Sequence, residues 1–252
     1  MSRRTSRLTA SAALAVLTLT VTACGSAEPT ATAEERAATT SAAPEPAGPV
    51  VAEASVPVLP SGGTVADAIA ELGDDAVRAG YDEMVAVATQ NFDPDTFIAD
   101  GNNTVDDLAP VLARVSPETV GELRAAAQGC LDAVREDCLS TWALAWFDVG
   151  TSATPYTFMP DGSFVVEQSV SDPDAWIEDG AEPRLVVRFT HTAKARVMDA
   201  GAPMGMLMVR ELTYALIPAP EGSGHRWLID GMSFDLDASD TVDPFTFEET
   251  AA

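Results

Sequence analysis

The chain has 252 residues and a formal net charge of −25, with 39 Asp and Glu against 14 Lys and Arg. Lys194 is the only lysine. This balance argues against nucleic acid and anionic lipid surfaces as partners, since both require basic patches. It fits a well-solvated surface, and a salt-adapted source would show the same composition.

The first residues read as an export address. Arg3, Arg4 and Arg7 form a basic start, and an apolar run from Leu8 to Val21 is broken only by Ser and Thr. This run is too short to cross a bilayer, which takes roughly 20 apolar residues. It ends in the small residues of a secretory signal. The exit Val21-Thr22-Ala23-Cys24 resembles a bacterial lipobox. That resemblance implies a signal peptide over 1–23 and a lipidated (palmitate-bearing) Cys24 as membrane anchor. An ordinary signal peptide cut near Ala23 is the alternative. Removing the three arginines takes the net charge from −25 to −28.

Residues 24–62 read as a tether. Gly25 to Pro60 holds ten alanines and six prolines and no aromatic residue, so it lacks the means to bury a core. As a flexible coil it would reach roughly 30–36 Å. A disordered segment with no spacer role has the same composition.

The domain is expected over 63–236, beginning with helices. Thr64 is placed to cap a short helix that closes near Gly73, and Asp74 or Asp75 to cap a longer one. In the second, Val77, Tyr81, Met84, Val85, Ala88 and Phe92 share a face at helical spacing. Asp93-Pro94 opens a further turn. Thr104 precedes a stripe of Val105, Leu108, Val111, Leu112 and Val115. Ser116-Pro117-Glu118 begins a last helix that Gly129 is placed to end. Cys130 and Cys138 are an even pair in an exported chain, which predicts a disulfide. In one continuous helix they would sit about 12 Å apart. A disulfide needs Cα atoms within roughly 7 Å. The helix must therefore end before the pair.

After Cys138 the period shifts from 3.6 to 2. Trp142–Trp146 alternates large and small residues, although a helix suits it too. Tyr156–Met159 and Ser163–Val170 flank Pro160-Asp161-Gly162, a hairpin signal. Ser171–Gly180 is acidic and reads as a loop. Three strands follow, Leu185–Val197, Met204–Ile217 and Arg226–Leu236. An acidic tail, 237–252, closes the chain, with Phe245 and Phe247 available to pin it.

Helices followed by consecutive antiparallel strands predict an α+β fold, with N-terminal helices packed on a curved antiparallel sheet. This order, with the closing strand Trp227-Leu-Ile-Asp-Gly231, resembles the cone of the ketosteroid-isomerase and nuclear-transport-factor-two superfamily over about residues 75–236. A cystatin-like or other helix-on-sheet domain has a similar order. The superfamily includes isomerases, cyclases and non-catalytic binding modules, so the resemblance implies a scaffold rather than an activity.

Most catalytic motifs are absent. The two histidines, His191 and His225, lie on separate expected strands, with no metal spacing between them. There is no Gly-x-Ser-x-Gly elbow, no phosphate loop and no calcium-hand pattern, so no cofactor and no metal is implied. Met204, Met206 and Met208 share a strand face and read as core filling rather than soft-metal ligands.

One cluster stands out. In Leu185–Val197 the odd positions are apolar except for His191, and the even positions are polar. In the next strand the bulkier even face is interrupted by Arg210. If the two strands form a hairpin, pairing Val197 with Met204 sets Phe189 opposite Leu212, Val187 opposite Tyr214 and Leu185 opposite Leu216. A one-residue slip would spoil every match. His191 then faces Arg210, with Cβ atoms roughly 5 Å apart. Two cations do not face each other across a core. His191 should therefore be neutral, or a carboxylate should lie near. Asp230 is the candidate, although Trp227 and Ile229 claim the inner face of its strand equally well. His191, Arg210, Asp230 and Tyr214 are thus the candidate binding residues.

The function expected from this reading is a surface lipoprotein on the outer face of the cell membrane. Its non-enzymatic domain would bind an envelope protein or small ligand. The alternative is a small cone-shaped enzyme with His191 or Asp230 as general base. A purely structural envelope component is the third reading.

Overall fold

The computed structural model describes residues 50–90, 103–132, 138, 140–141, 144–145, 157–180 and 183–248. Within these, the side chains of 237–241 are left undescribed. The signal, Cys24, the first part of the tether, Phe92, the Asp93-Pro94 start and Tyr156 lie outside the described residues.

The architecture is α+β, with helices laid against a curled mixed sheet in the form of a half-barrel. Helix α1 spans Thr64–Leu72. Gly63, not Thr64, is its N-cap residue, and the Thr64 hydroxyl instead donates to Asp174 Oδ1 at 2.6 Å. Gly73 ends α1 with φ 85°, a conformation open to glycine at little cost, and its N–H bonds Ile69 O. Helix α2, Asp74–Gln90, follows at once. The expected stripe is its buried face: Val77, Tyr81, Met84, Val85 and Ala88 are each at most 6 % exposed. Gly80 lies on that face where α2 comes closest to the sheet; a Cβ there would meet Leu185 Cδ2 at 2.6 Å.

A 3-10 turn, Val105–Leu108, is closed by a capping box between Thr104 and Asp107 and leads into α3, Ala109–Leu112. Helix α4 spans Val120–Leu131, so Gly129 does not end it. The chain turns after Leu131, which still brings the Cys130 and Cys138 Cα atoms to 4.5 Å in a disulfide. Cys138, Ser140, Thr141 and Leu144 are helical, and Ala145 N–H bonds Thr141 O. Trp142, Ala143 and Trp146 of the expected alternating stretch lie outside the described residues.

The sheet is a meander of four long strands, β3 (Ser163–Glu178), β4 (Arg184–Asp199), β5 (Ala202–Pro218) and β6 (Trp227–Val242). Each pairs antiparallel with the next. Ala200 and Gly201, both at positive φ, make the two-residue turn between β4 and β5. Two short strands, β1 (Val50–Val51) and β2 (Ala54–Ser55), run parallel to β3 along its other edge.

Four expectations are corrected here. Residues 50–60, read as tether, belong to the domain: Leu59 is 2 % exposed, and the Leu59 and Pro57 carbonyls accept from Arg78 and Tyr81. The Pro160–Gly162 turn exists, but Thr157 bridges Met198 of β4 rather than pairing with β3, whose edge is already taken by β1. The acidic stretch after Ser171 is strand as far as Glu178, with an irregularity between Ser171 and Asp174 that absorbs Asp172 (φ 50°) and Pro173. Strand β6 continues to Val242, past the expected start of the tail at 237.

The inner face carries the main core, in which α2 packs on Leu185, Val187, Phe189, Leu212, Tyr214 and Leu216. A second cluster at the far end joins Phe164, Ala195, Val197, Met206 and Met208, so the methionines fill core. On the outer face, β3 and β4 carry cross-strand ion pairs: Arg184–Glu178, Arg188–Asp174 and Lys194–Glu167 at 2.9–3.4 Å. Arg196 reaches Asp161 just before β3 at 3.1 Å. Each is worth at most about 1 kcal/mol, and together they set an acidic β3 against a basic β4. Among the described residues, no helix is long and apolar enough to cross a membrane.

The short Cys130–Cys138 loop constrains the unfolded chain by about 2–3 kcal/mol in the chain-entropy model. Alkylation of the unfolded but unreduced protein is therefore expected to leave both thiols unmodified. Mass spectrometry should show the two adducts only after reductant, with a matching fall in the urea midpoint.

Candidate functional site

The β4–β5 pairing has the register read from the side-chain pattern: Val197 pairs with Met204, Phe189 with Leu212, Val187 with Tyr214, and His191 with Arg210. His191 and Arg210 converge on the inner face, at 0 % and 1 % exposure. Arg210 Nε and one terminal nitrogen lie 3.2 and 2.7 Å from His191 Nδ1. The same terminal nitrogen donates to the Ala88 carbonyl at 2.6 Å.

This geometry fixes the tautomer of the imidazole. A guanidinium only donates, so Nδ1 must accept, and the proton of the neutral ring sits on Nε2. Nε2 meets Gln168 Oε1 at 3.0 Å. Gln168 Nε2 in turn donates to Ala52 O at 2.6 Å and Thr89 O at 3.3 Å. The chain of donors thus runs from the β5 guanidinium through the ring to the amide of β3, and ends on backbone carbonyls. Burial, aided by the Arg210 charge, pushes the His191 pKa down to about 2. Burial also lowers the Arg210 guanidinium, to about 10, which leaves it charged at neutral pH.

The expectation that Asp230 completes this cluster is corrected. The β5–β6 ladder shifts between Ala215, which pairs with Gly231, and Leu216, which pairs with Ile229. Asp230 is the extra residue in that bulge, and the bulge puts Ile229, not Asp230, on the buried face. Asp230 turns to the rim of the sheet. There its carboxylate accepts from Ser116 at 2.8 Å and from Arg184 at 3.0 Å, while Thr119 donates to its carbonyl at 2.6 Å. Ser116, Arg184 and Asp230 line a cleft of about 470 Å³ with Pro117, Glu118, Gly180 and Ile217.

Tyr214 lies on the inner face beside Phe189, with ring centroids 6.0 Å apart, and is wholly buried. Its hydroxyl has no hydrogen-bond partner among the described residues. Burial raises its pKa to about 12, against a smaller opposing pull from Arg210. Tyr214 therefore stands near the cluster without joining its bonds.

Among the described residues, carbonyls of the last turn of α2 accept from this cluster. The last four carbonyls of a helix have no partner within it and carry the negative end of the macrodipole. Arg210 serves Ala88 O and Gln168 serves Thr89 O, both in the last turn of α2. The residue that sequence reasoning missed is Gln168. Its signal was parity: Gln168 and Val170 alternate with Glu167, Ser169 and Ser171, so a glutamine stood on the apolar side of β3.

Among the described residues, no group of three or more His, Cys, Asp or Glu is placed to hold a metal ion. In comparisons with known proteins, no family model, no curated protein and no solved structure matches this chain. Fold and site thus define an α+β domain in which, among the described residues, a buried cationic cluster fastens α2 to a half-barrel sheet.

Arg210→Met removes hydrogen bonds from a charged group, worth roughly 1.5–3 kcal/mol each. Part of this is offset because a charge no longer needs to be buried. Urea unfolding is expected to show a net loss of about 2–4 kcal/mol. The His191 shift also has a defined sign. The folded ring refuses a proton until pH falls to about 2, while the unfolded ring takes one below 6.5. Its contribution is complete above pH 6.5 and declines by about 1.4 kcal/mol per pH unit below it. The stability difference between the wild type and His191→Gln should shrink by about 1 kcal/mol between pH 6.5 and 5.5.

Proposed function

We propose that the chain is an exported lipoprotein, held by Cys24 on the outer face of the cell membrane, whose domain binds an envelope protein or small ligand without catalysis. The observation that carries the binding reading over an enzymatic one is the state of His191. Both its ring nitrogens are engaged in bonds that hold the fold, and none of its surface meets solvent. A general base must come within hydrogen-bond reach of a substrate proton. Asp230 does border an open cleft, but its carboxylate is already tied to Arg184 and Ser116. The concave surfaces that remain suit recognition.

Three further features agree with this reading. The Cys130–Cys138 disulfide suits an oxidising compartment. The basic start, apolar run and Val-Thr-Ala-Cys exit suit lipoprotein processing. The curled sheet with helices on its inner face agrees with a relationship to the ketosteroid-isomerase and nuclear-transport-factor-two cones, many of which only bind.

Fractionation of cells expressing Cys24→Ala is expected to move the protein from the membrane to the soluble fraction; unchanged membrane association overturns the anchor. Native mass spectrometry of the protein from its own host is expected to show a bound molecule or partner lost on mild denaturation.

A further inference from the structure

The sheet edge beside β3 is formed by β1 and β2, and they offer only one side of their backbone to it. Val50 N–H donates to Gly162 O at 2.7 Å, Ala52 N–H donates to Val165 O at 2.8 Å, and Ala52 O accepts from Gln168 at 2.6 Å. Along an extended chain, successive residues direct their N–H and C=O groups to opposite sides. Val51 and Glu53 therefore present theirs to the far side.

A groove of about 520 Å³ lies between residues 51–56 and α2, where Val85, Ala86, Thr89 and Gln90 form the opposite wall and Gln168 of β3 also lines it. The consecutive residues Val51, Ala52, Glu53 and Ala54 all line it. A groove against one face of a strand would touch alternate residues, so this one is bordered by the backbone edge itself. The segment 51–56, five of whose residues line the groove, would span about 20 Å at roughly 3.3 Å per extended residue, the length of a short peptide. The apolar side chains lining the groove are alanines and valines. Its charged lining residues are Glu53 and Asp82, both exposed, and none is cationic.

We infer that this groove receives an extended polypeptide segment of a partner protein, which adds to the free edge of β1 and β2 as a further strand. Main-chain bonds to the edge supply affinity, and the wall of α2 selects the side chains. The segment that fits has alanine or valine directed between the two walls and lysine or arginine against Glu53 and Asp82. This assignment rests on the binding-module reading above and names its site and partner class; it is independent of the lipid anchor.

The test is selection of a displayed library of random linear octapeptides on the full chain, followed by titration of the selected peptides. Sequences that mix small apolar and basic residues are expected. Their binding should slow hydrogen exchange across residues 50–57 and weaken with added salt. Ala86→Trp, which fills the groove from α2, should weaken binding at least tenfold with the circular dichroism unchanged. Glu53→Gln with Asp82→Asn, on exposed side chains, should weaken it several-fold and flatten the salt dependence, and this pair carries the test if Ala86→Trp disturbs the fold. Selection of acidic sequences, failure to enrich any sequence, or peptides that leave residues 50–57 unprotected overturns the assignment. Peptides that protect the Arg184–Asp230 cleft instead overturn this site and leave the binding-module reading standing.

Discussion

A guanidinium closed inside an apolar sheet face is the constraint on which this fold turns. Arg210 is 1 % exposed and stays charged, so the surrounding chain must supply acceptors. Helix α2 supplies the Ala88 carbonyl, at the helix end where a cation is favoured. The helix cannot slide along the sheet without stranding that charge, and the sheet cannot slip its β4–β5 register without parting Arg210 from His191. The ring then passes the constraint to Gln168, which fixes Thr89 of the same helix and Ala52 of the edge segment. Three separate stretches of chain are located by one polar relay, and burial against α2 supplies the apolar free energy around it.

The inner His191–Arg210 cluster and the rim cluster at Asp230 are kept apart by a single inserted residue. Without the irregularity at Asp230, the alternation of β6 would carry that carboxylate onto the inner face with Met232 and Phe234. There it would sit in the core, as the sequence pattern suggested. With it, Ile229 fills the core and Asp230 fastens Ser116, Thr119 and Arg184 at the rim. The inner cluster is sealed and structural, and the rim cluster ties the approach to α4 onto the sheet.

Much of this was legible in the chain because one periodicity dominates each element. The apolar parity of Leu185–Val197 and Met204–Ile217 has a single register that matches every bulky residue, and the structure has that register. The stripe of α2 was equally plain. The misreadings share a cause: each involves backbone behaviour that side-chain period does not encode. Residues 50–60 look like tether by composition, yet they fold by lending backbone groups to β3, Tyr81 and Arg78. The Ser171–Asp174 and Asp230 irregularities shift parity midway through strands, which hid the continuation of β3 and the true aim of Asp230. Asp230 was expected beside Arg210, whereas among the described residues the Ala88 carbonyl accepts from it, and a main-chain acceptor leaves no mark in the sequence.

The edge segment has a mechanical consequence. A pull applied at Val50 meets the domain at the β1–β3 contact, where the Val50 and Ala52 N–H groups bond the neighbouring strand. Behind them come the Gln168 clasp on Ala52, then Tyr81 on Pro57 and Arg78 on Leu59. These attachments lie in sequence along the chain, so a pull loads them one after another, like a seam opened from its end.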